Sequence, residues 1–260
     1  MKGLPTKALS KIKKAIEGQF DALSLKFLGL VPNVTKEKRI VFSTQKKQSL
    51  ISLYLSAIGN KNLNRNEEQL LKAILSIASG YIEGLKHRTV ARVINDVDGY
   101  IRTKSIGGEK PSAKEVKRII DDNMSKAKNQ FKMIANCESN RAVNMGTAMQ
   151  ISEMATKKGE KDPVVFFVVT IDDVTGSEEF VLHLLPDKKT PRVWRLSEIK
   201  NNYHKKGDPQ PSTLGLHPNC RCKITYLADN FGFDKDGKVT YKNPDWDEFK
   251  YQREKYGLPR

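Results

Sequence analysis

Acidic residues and cysteines are what this 260-residue chain has least of for its size. It carries 30 Asp and Glu against 46 Lys and Arg, a formal net charge of +16 at neutral pH. That balance says little about fold but selects partners: nucleic acid, an anionic membrane surface or an acidic protein. Three cysteines are an odd, small number, which excludes a disulfide framework and suits a chain made in a reducing cytoplasm. Long apolar runs are also missing. The longest, Val164–Val169, is the length of a strand, far short of the ~20 residues a membrane helix needs. The basic start, Met1–Lys14, is not followed by the apolar stretch of a secretory signal. There is no Gly-rich phosphate loop, dinucleotide fingerprint, His-Glu-x-x-His or helix-turn-helix signature, and no repeat at solenoid periods. These absences leave nothing that points to a nucleotide-dependent or zinc-protease class, and no helix-turn-helix supports the further reading of a cytoplasmic nucleic-acid-binding regulator.

What is present suffices for a core, since 38% of the residues are hydrophobic. The length fits one large domain or two small ones. Apolar residues at three- and four-residue spacing predict helices in the first half. Ser10–Leu25 stacks Ile12, Ile16, Phe20 and Leu23; Gln45–Ile58 follows; Asn66–Leu85 stacks Leu70, Ile74, Ala78, Tyr81 and Leu85; His87–Ile101 continues in the same style. After the break at Gly107-Gly108 and Pro111, Ser112 and Glu115 have capping-box spacing. They open a long helix marked by Val116, Ile120, Met124, Ala127, Phe131 and Ile134, which runs on through Glu138–Met154.

The texture changes after Pro163. Val164–Ile171 is β-branched and aromatic, a buried strand, and Asp172–Gly176 is a turn. Phe180–Leu185, Val193–Leu196 and Cys222–Leu227 are further strand candidates. Asp236-Gly237 between Phe233 and Val239–Tyr241 predicts a hairpin. Asp234-Lys235-Asp236-Gly237 also has the opening of a calcium loop but lacks its later ligands, which favours the hairpin. The expected fold class is α+β: a mainly helical N-terminal half, then a small β-rich domain closed by a His-Pro-Asn-Cys-Arg-Cys turn. The tail, with Trp246, Phe249, Tyr251 and Tyr256, needs a surface to bury against. That surface is its own domain or a neighbouring subunit, and docking on the neighbour is the expectation.

The charge is uneven. Residues 1–50 hold eleven Lys and Arg against three acids, a net +8 and half the total. Lys7, Lys11, Lys13, Lys14, Lys36, Lys38 and Arg39 are therefore candidates for DNA or partner contact; a solvated arm is the plainer reading.

Two segments stand out chemically. In His217-Pro218-Asn219-Cys220-Arg221-Cys222, a Cys-x-Cys pair beside a His offers soft ligands suited to zinc, with His183 or Asp173 as a fourth. The plainer reading is a Pro-fixed turn with packed thiols. In Ala135-Asn136-Cys137-Glu138, followed by Arg141, Asn144 and Gly146, helical spacing brings Glu138, Arg141 and Asn144 toward one face. A carboxylate steadied by Arg is one reading; a buried Glu–Arg pair that fixes the fold is the preferred one. His183, His204 and His217 are candidates for a nuclease set, but no spacing of histidines and acids predicts one.

Taken in order, these features resemble a known family. The helix with Ile134-Ala135-x-x-Glu138, Arg141, Asn144 and Gly146, the strand at Val164–Ile171 with Asp172-Asp173, and the closing His217-Pro218-Asn219-Cys220-Arg221-Cys222 resemble the phage head morphogenesis domain of Mu F-like minor head proteins. The resemblance covers about residues 85–227, with a basic helical region at 1–84 and an aromatic-rich tail at 228–260. It implies a minor structural protein of a tailed-phage head and no enzymatic role. Portal protein or major capsid protein would be its partner, with non-specific contact to phage DNA and several copies per virion. It would lie in the head interior or portal region, reached from the host cytoplasm during assembly, with no membrane. Many members carry a Cys-x-x-Cys pair after the strand and then Leu-His-Gly; here Val174–Leu185 has no cysteine and only Leu182-His183 echoes the pattern. No cofactor is required, and if Zn2+ is bound, His183, His217, Cys220 and Cys222 are the substitute set. The alternative is a nuclease or toxin-type enzyme delivered with the virion.

Overall fold

The computed structural model describes residues 6–28, 49–59, 62–171, 175–202, 204–217 and 220–258. Among the described residues six α-helices run in the order α1 (Thr6–Leu28), α2 (Leu50–Ile58), α3 (Arg65–Ile106), α4 (Ala113–Lys158), α5 (Ser177–His183) and α6 (Glu248–Tyr256). The strands are β1 (Val164–Val168), β2 (Val193–Arg195), β3 (Lys223–Tyr226), β4 (Phe231–Phe233) and β5 (Val239–Tyr241). The fold is α+β, and the chain divides into two compact units, Met1–Ile51 with Lys72–Asn136, and Ser52–Leu71 with Cys137–Arg260. Position 84/85 falls inside α3. No described helix is long and apolar enough to cross a membrane.

The first unit is helical. Ile16 and Phe20 of α1 close on Ile82, Leu85, Val90, Val93 and Val97 of α3 and Ala127 of α4, as three amphipathic helices must to hide their apolar stripes. Gly108 adopts φ +71°, which lets the Glu109 N–H return to the Lys104 carbonyl at 2.9 Å and end α3. The capping box expected at Ser112 does not form. The Ser112 N–H is taken by the Tyr100 hydroxyl at 3.0 Å, and the Glu115 carboxylate pairs with Arg118 at 2.9 Å instead. A reciprocal box does form at the start of α3, where Asn64 accepts the Glu67 N–H and Glu67 accepts that of Asn64.

In the second unit β1 is the middle strand of an antiparallel sheet ordered β2-β1-β3. Its alternation explains its composition. Val165 and Phe167 face a core with Ile151 of α4, Leu182, Trp194, Leu216, Cys220, Cys222 and Ile224. Val164 and Phe166 face the opposite side with Val193, Leu227, Phe233 and, half-buried, Phe249. A strand covered on both faces is apolar throughout. The β4–β5 hairpin turns as expected, with Asp234 accepting the N–H groups of Asp236 and Lys238 at 2.9 Å each.

Two expectations are corrected. Phe180–Leu185 is not a strand: Ser177–His183 is helical, because Glu179 ties down the Gly176 N–H at 2.8 Å and two acids sit in the first turn. The aromatic tail packs on its own unit. Gln252 of α6 is fully buried, accepts the Val193 N–H and donates to the Pro191 carbonyl, both at 3.0 Å. Arg195 and Arg253 stack on Phe249 at 4.5 and 4.2 Å, and Arg253 pairs with Glu198 at 2.9 Å. Of the basic candidates, Lys11, Lys13 and Lys14 are exposed on α1, and Lys13 approaches Glu17 at 3.8 Å. Lys7 lies in the first turn of α1; Lys36, Lys38 and Arg39 lie outside the described residues.

Candidate functional site

The site is assembled from three places in the chain: the C-terminal part of α4, the short helix α5, and the segment that leads into β3. On α4, Glu138 and Arg141 form an ion pair at 2.8 Å with both side chains 2% exposed. One turn on, Asn144 is buried. Its amide donates to the Cys222 carbonyl at 3.0 Å, and its oxygen accepts the Ile224 N–H at 3.2 Å. Asn140 adds a second donor to the same carbonyl at 3.4 Å and accepts from the Lys223 ammonium. Burial pushes the Lys223 pKa down. These bonds fasten the chain at the second cysteine and over the two residues that follow it. Gly146 has a different purpose. A Cβ there would lie 2.9 Å from Ala57 Cβ and 3.3 Å from Ile58 and Tyr54, so its hydrogen lets α2 approach closely.

On α5, Glu179 and His183 are four residues apart and share a face. His183 is wholly buried and stacks on Phe167, ring centroids 4.3 Å apart. Burial lowers its pKa, against the pull of Cys220, whose sulfur interacts with the ring. The closing segment returns over α5 because Gly215, at φ +84°, passes so near Cys220 that a Cβ would stand 2.8 Å from the cysteine's own. The Cys220 N–H then bonds the His217 carbonyl at 3.1 Å.

The Glu179 carboxylate is the hub. Oε1 lies 3.1 Å from His217 Nε2, 3.2 Å from Cys222 Sγ and 3.6 Å from Cys220 Sγ. Burial raises the Glu179 pKa, but the Gly176 N–H, Cys222 and His217 outweigh it, and the net shift is downward. The two thiols behave as a pair. Hydrogen bonding from Cys222 brings Cys220 down to about 4 against its burial, with help from His183. Cys220, burial and Glu179 in turn push Cys222 up. The pair thus favours one thiolate, on Cys220.

Glu179, His217 and Cys220 offer ligand atoms all within 4.8 Å of one another, a group that can hold a metal ion. Of the set read from sequence, His217 and Cys220 are brought together, and Cys222 reaches the same carboxylate. His183 interacts with Cys220 but is not a member of this group. Asp173, Pro218 and Asn219 lie outside the described residues; Arg221 is exposed. Glu179 was missed. The signal for it was the Gly176-x-x-Glu179 spacing of a helix start with His183 four residues later. The three histidines weighed as a nuclease set go to different partners: His217 to Glu179, His204 to Glu178 at 3.8 Å, and His183 to the Phe167 ring. Comparisons with protein-family models, with curated proteins and with solved structures give no match to this chain.

Proposed function

We propose that this protein is a minor structural component of a tailed-phage head, of the Mu F-like kind, bound to portal or capsid in the head interior. It acts in head assembly and in DNA packaging or delivery, and it is not a metabolic enzyme. The observation that carries the reading is the clamp of Asn144 on the backbone around Cys222. The two segments that the resemblance rests on are 78 residues apart in sequence, yet one is the other's hydrogen-bonding partner. Their residue types are thus explained together: Asn to hold the strand, Gly146 to admit α2, and Cys-x-Cys to meet Glu179. The burial of Glu138, Arg141, Glu179 and His183 favours a structural role over a catalytic one, since a substrate must reach the groups that act on it. Mass spectrometry of purified virions, disrupted with and without their DNA, tests the reading. Several copies per particle are expected; absence from particles overturns it.

Zn2+ is the metal we propose for the Glu179–His217–Cys220 group; Cys222 meets the same carboxylate but lies outside that group. A thiolate, an imidazole and a carboxylate together suit this borderline ion. The 3.1 and 3.6 Å spacings of His217 Nε2 and Cys220 Sγ from Glu179 Oε1 are close to the ligand–ligand edges expected for zinc bonds of about 2.0–2.3 Å. The metal would tie α5 to the closing segment, a structural and not a reactive use. Elemental analysis should find one zinc per chain, lost in Cys220→Ser. A metal-free protein whose thermal midpoint is indifferent to chelator would remove the ion and leave a protonated hydrogen-bond hub.

A further inference from the structure

Nearly all of the net charge lies in one unit. Met1–Ile51 with Lys72–Asn136 has 24 Lys and Arg against 10 Asp and Glu, a net +14; the remainder has 22 against 20, a net +2. Within the helical unit one surface gathers this charge in a line. At 100° per residue, Lys114, Lys117, Arg118, Asp121, Ser125, Lys128 and Lys132 of α4 fall within a sector of roughly 100°. All seven are exposed. The opposite side of the helix holds Ile119, Ile120, Asn123, Ala127 and Ile134, turned to the core. The outer face has five cations and a single acid, Asp121. Arg118 is engaged by Glu115 at 2.9 Å, while the four lysines pair with no acid among the described residues.

We propose that this face of α4, from Lys114 to Lys132, is a ridge that binds the phosphate backbone of nucleic acid. The proposal deepens the DNA contact in the reading above and rests on it. The ridge spans 19 positions of a straight helix, about 27 Å, which matches about eight base pairs of duplex. Lysine ammoniums are point charges on flexible stems; they meet phosphates without demanding the planar geometry that Arg forks select. Apart from Asn129 at its edge, the face offers neither amide nor aromatic side chains among its lysines, so it grips backbone rather than bases. A membrane surface fits it less well. An interfacial helix needs a free apolar face, and that of α4 is spent on α1 and α3. An acidic peptide would look for apolar side chains among the charges, and the seven exposed residues of the ridge are all charged or polar.

The test is fluorescence anisotropy of a labelled random-sequence duplex with the full chain and with the quadruple variant Lys114→Gln, Lys117→Gln, Lys128→Gln, Lys132→Gln. Glutamine keeps the helix propensity, and circular dichroism checks that the helices remain. A control removes the same charge from the other unit: Lys205→Gln, Lys206→Gln, Lys235→Gln, Lys238→Gln. Each lost phosphate contact flattens the log–log salt dependence by about 0.9. Between about 50 and about 200 mM salt, the wild-type affinity should therefore fall roughly a hundredfold more than that of the ridge variant. The control should keep the wild-type slope. Wild-type slope in the ridge variant overturns the ridge and leaves DNA contact elsewhere on the chain. Equal loss in the control means diffuse attraction and also overturns it. Binding to vesicles of anionic lipid through the same four lysines makes the face a membrane surface, against the proposal. No binding of DNA by the wild type at low salt removes the ridge and the DNA contact together, while virion content still decides the head reading.

Discussion

The two compact units use charge in opposite ways. In the helical unit ionisable groups lie on solvent faces around a core of Ile, Val, Leu and Phe. The other unit also keeps ionisable groups inside: Glu138, Arg141, Glu179, His183, Arg192, Glu248 and Arg253 are all buried. Burial costs a charge several kcal/mol unless a partner and hydrogen bonds offset it. Each of these groups therefore fixes one arrangement of its neighbours. Exposed charges cost almost nothing and fix almost nothing, but their sum sets which molecules are attracted. The near-neutral unit is where specific geometry is stored, and the +14 unit is where a polyanion would be met.

The comparison breaks most visibly if the tail is removed. Truncation after Leu227 uncovers Val164, Phe166 and Val193 and deletes the Gln252 bonds to β2 and its flank. The second unit should lose its cooperative transition, read by Trp194 fluorescence, while the ellipticity of the first-unit helices largely persists. An unchanged transition would return the tail to the role of a docking arm. Next in size is Arg141→Met, which strands Glu138 inside and should lower unfolding stability by about 3–5 kcal/mol. Both tryptophans, Trp194 and Trp246, report on this unit in a denaturant titration. Adding Glu138→Leu to Arg141→Met should recover much of the loss; no recovery would show that Glu138 is not the cause.

Gly146→Ala should cost about 1–3 kcal/mol, the range for overpacking, because the new methyl meets Ala57 at 2.9 Å. A neutral result in the same titration would mean that α2 shifts freely. A smaller, pH-dependent effect belongs to His183. Its folded pKa lies below the ordinary 6.5 because burial disfavours the imidazolium. Below about pH 6.5 the unfolded chain takes up a proton that the folded chain refuses, so stability falls as pH drops toward the folded pKa and is independent of this group above 6.5. His183→Phe keeps a ring against Phe167 and should remove that slope between about pH 6.5 and 5; an unaltered slope would place the acid sensitivity elsewhere. Smallest of all, the four ridge substitutions on α4 should change stability by less than about 0.5 kcal/mol. A large loss there would mean that the outer face of α4 is structural after all.

The legible parts of the fold were those carried by local periodicity. The stacked Leu70, Ile74, Ala78, Tyr81 and Leu85 foretold α3, although Tyr81 is exposed; the row from Val116 to Ile134 foretold α4, the apolar run at Val164 foretold a covered strand, and Asp236-Gly237 foretold a hairpin. The capping box at Ser112 failed because a residue twelve positions away, Tyr100, reached the N–H first. Helix α5, at seven residues, is too short to show a period, and a nucleus that costly forms only where tertiary contacts support it.

The candidate site divides in the same way. Cys220, Cys222, His217 and the Glu138–Arg141–Asn144 face were visible because their residue types and spacings are unusual within a few residues of one another. Glu179 was not, because its importance lies in bonds to sulfurs 41 and 43 residues later, and only the folded chain brings those together. The sequence by itself determined the helices of the N-terminal half, the central strand and the excess of positive charge, since each is a sum over neighbours along the chain. The tertiary structure alone decided which carboxylate sits among the thiols, which unit the tail belongs to and which face of α4 is left to solvent, because burial and pairing are properties of residues distant in sequence.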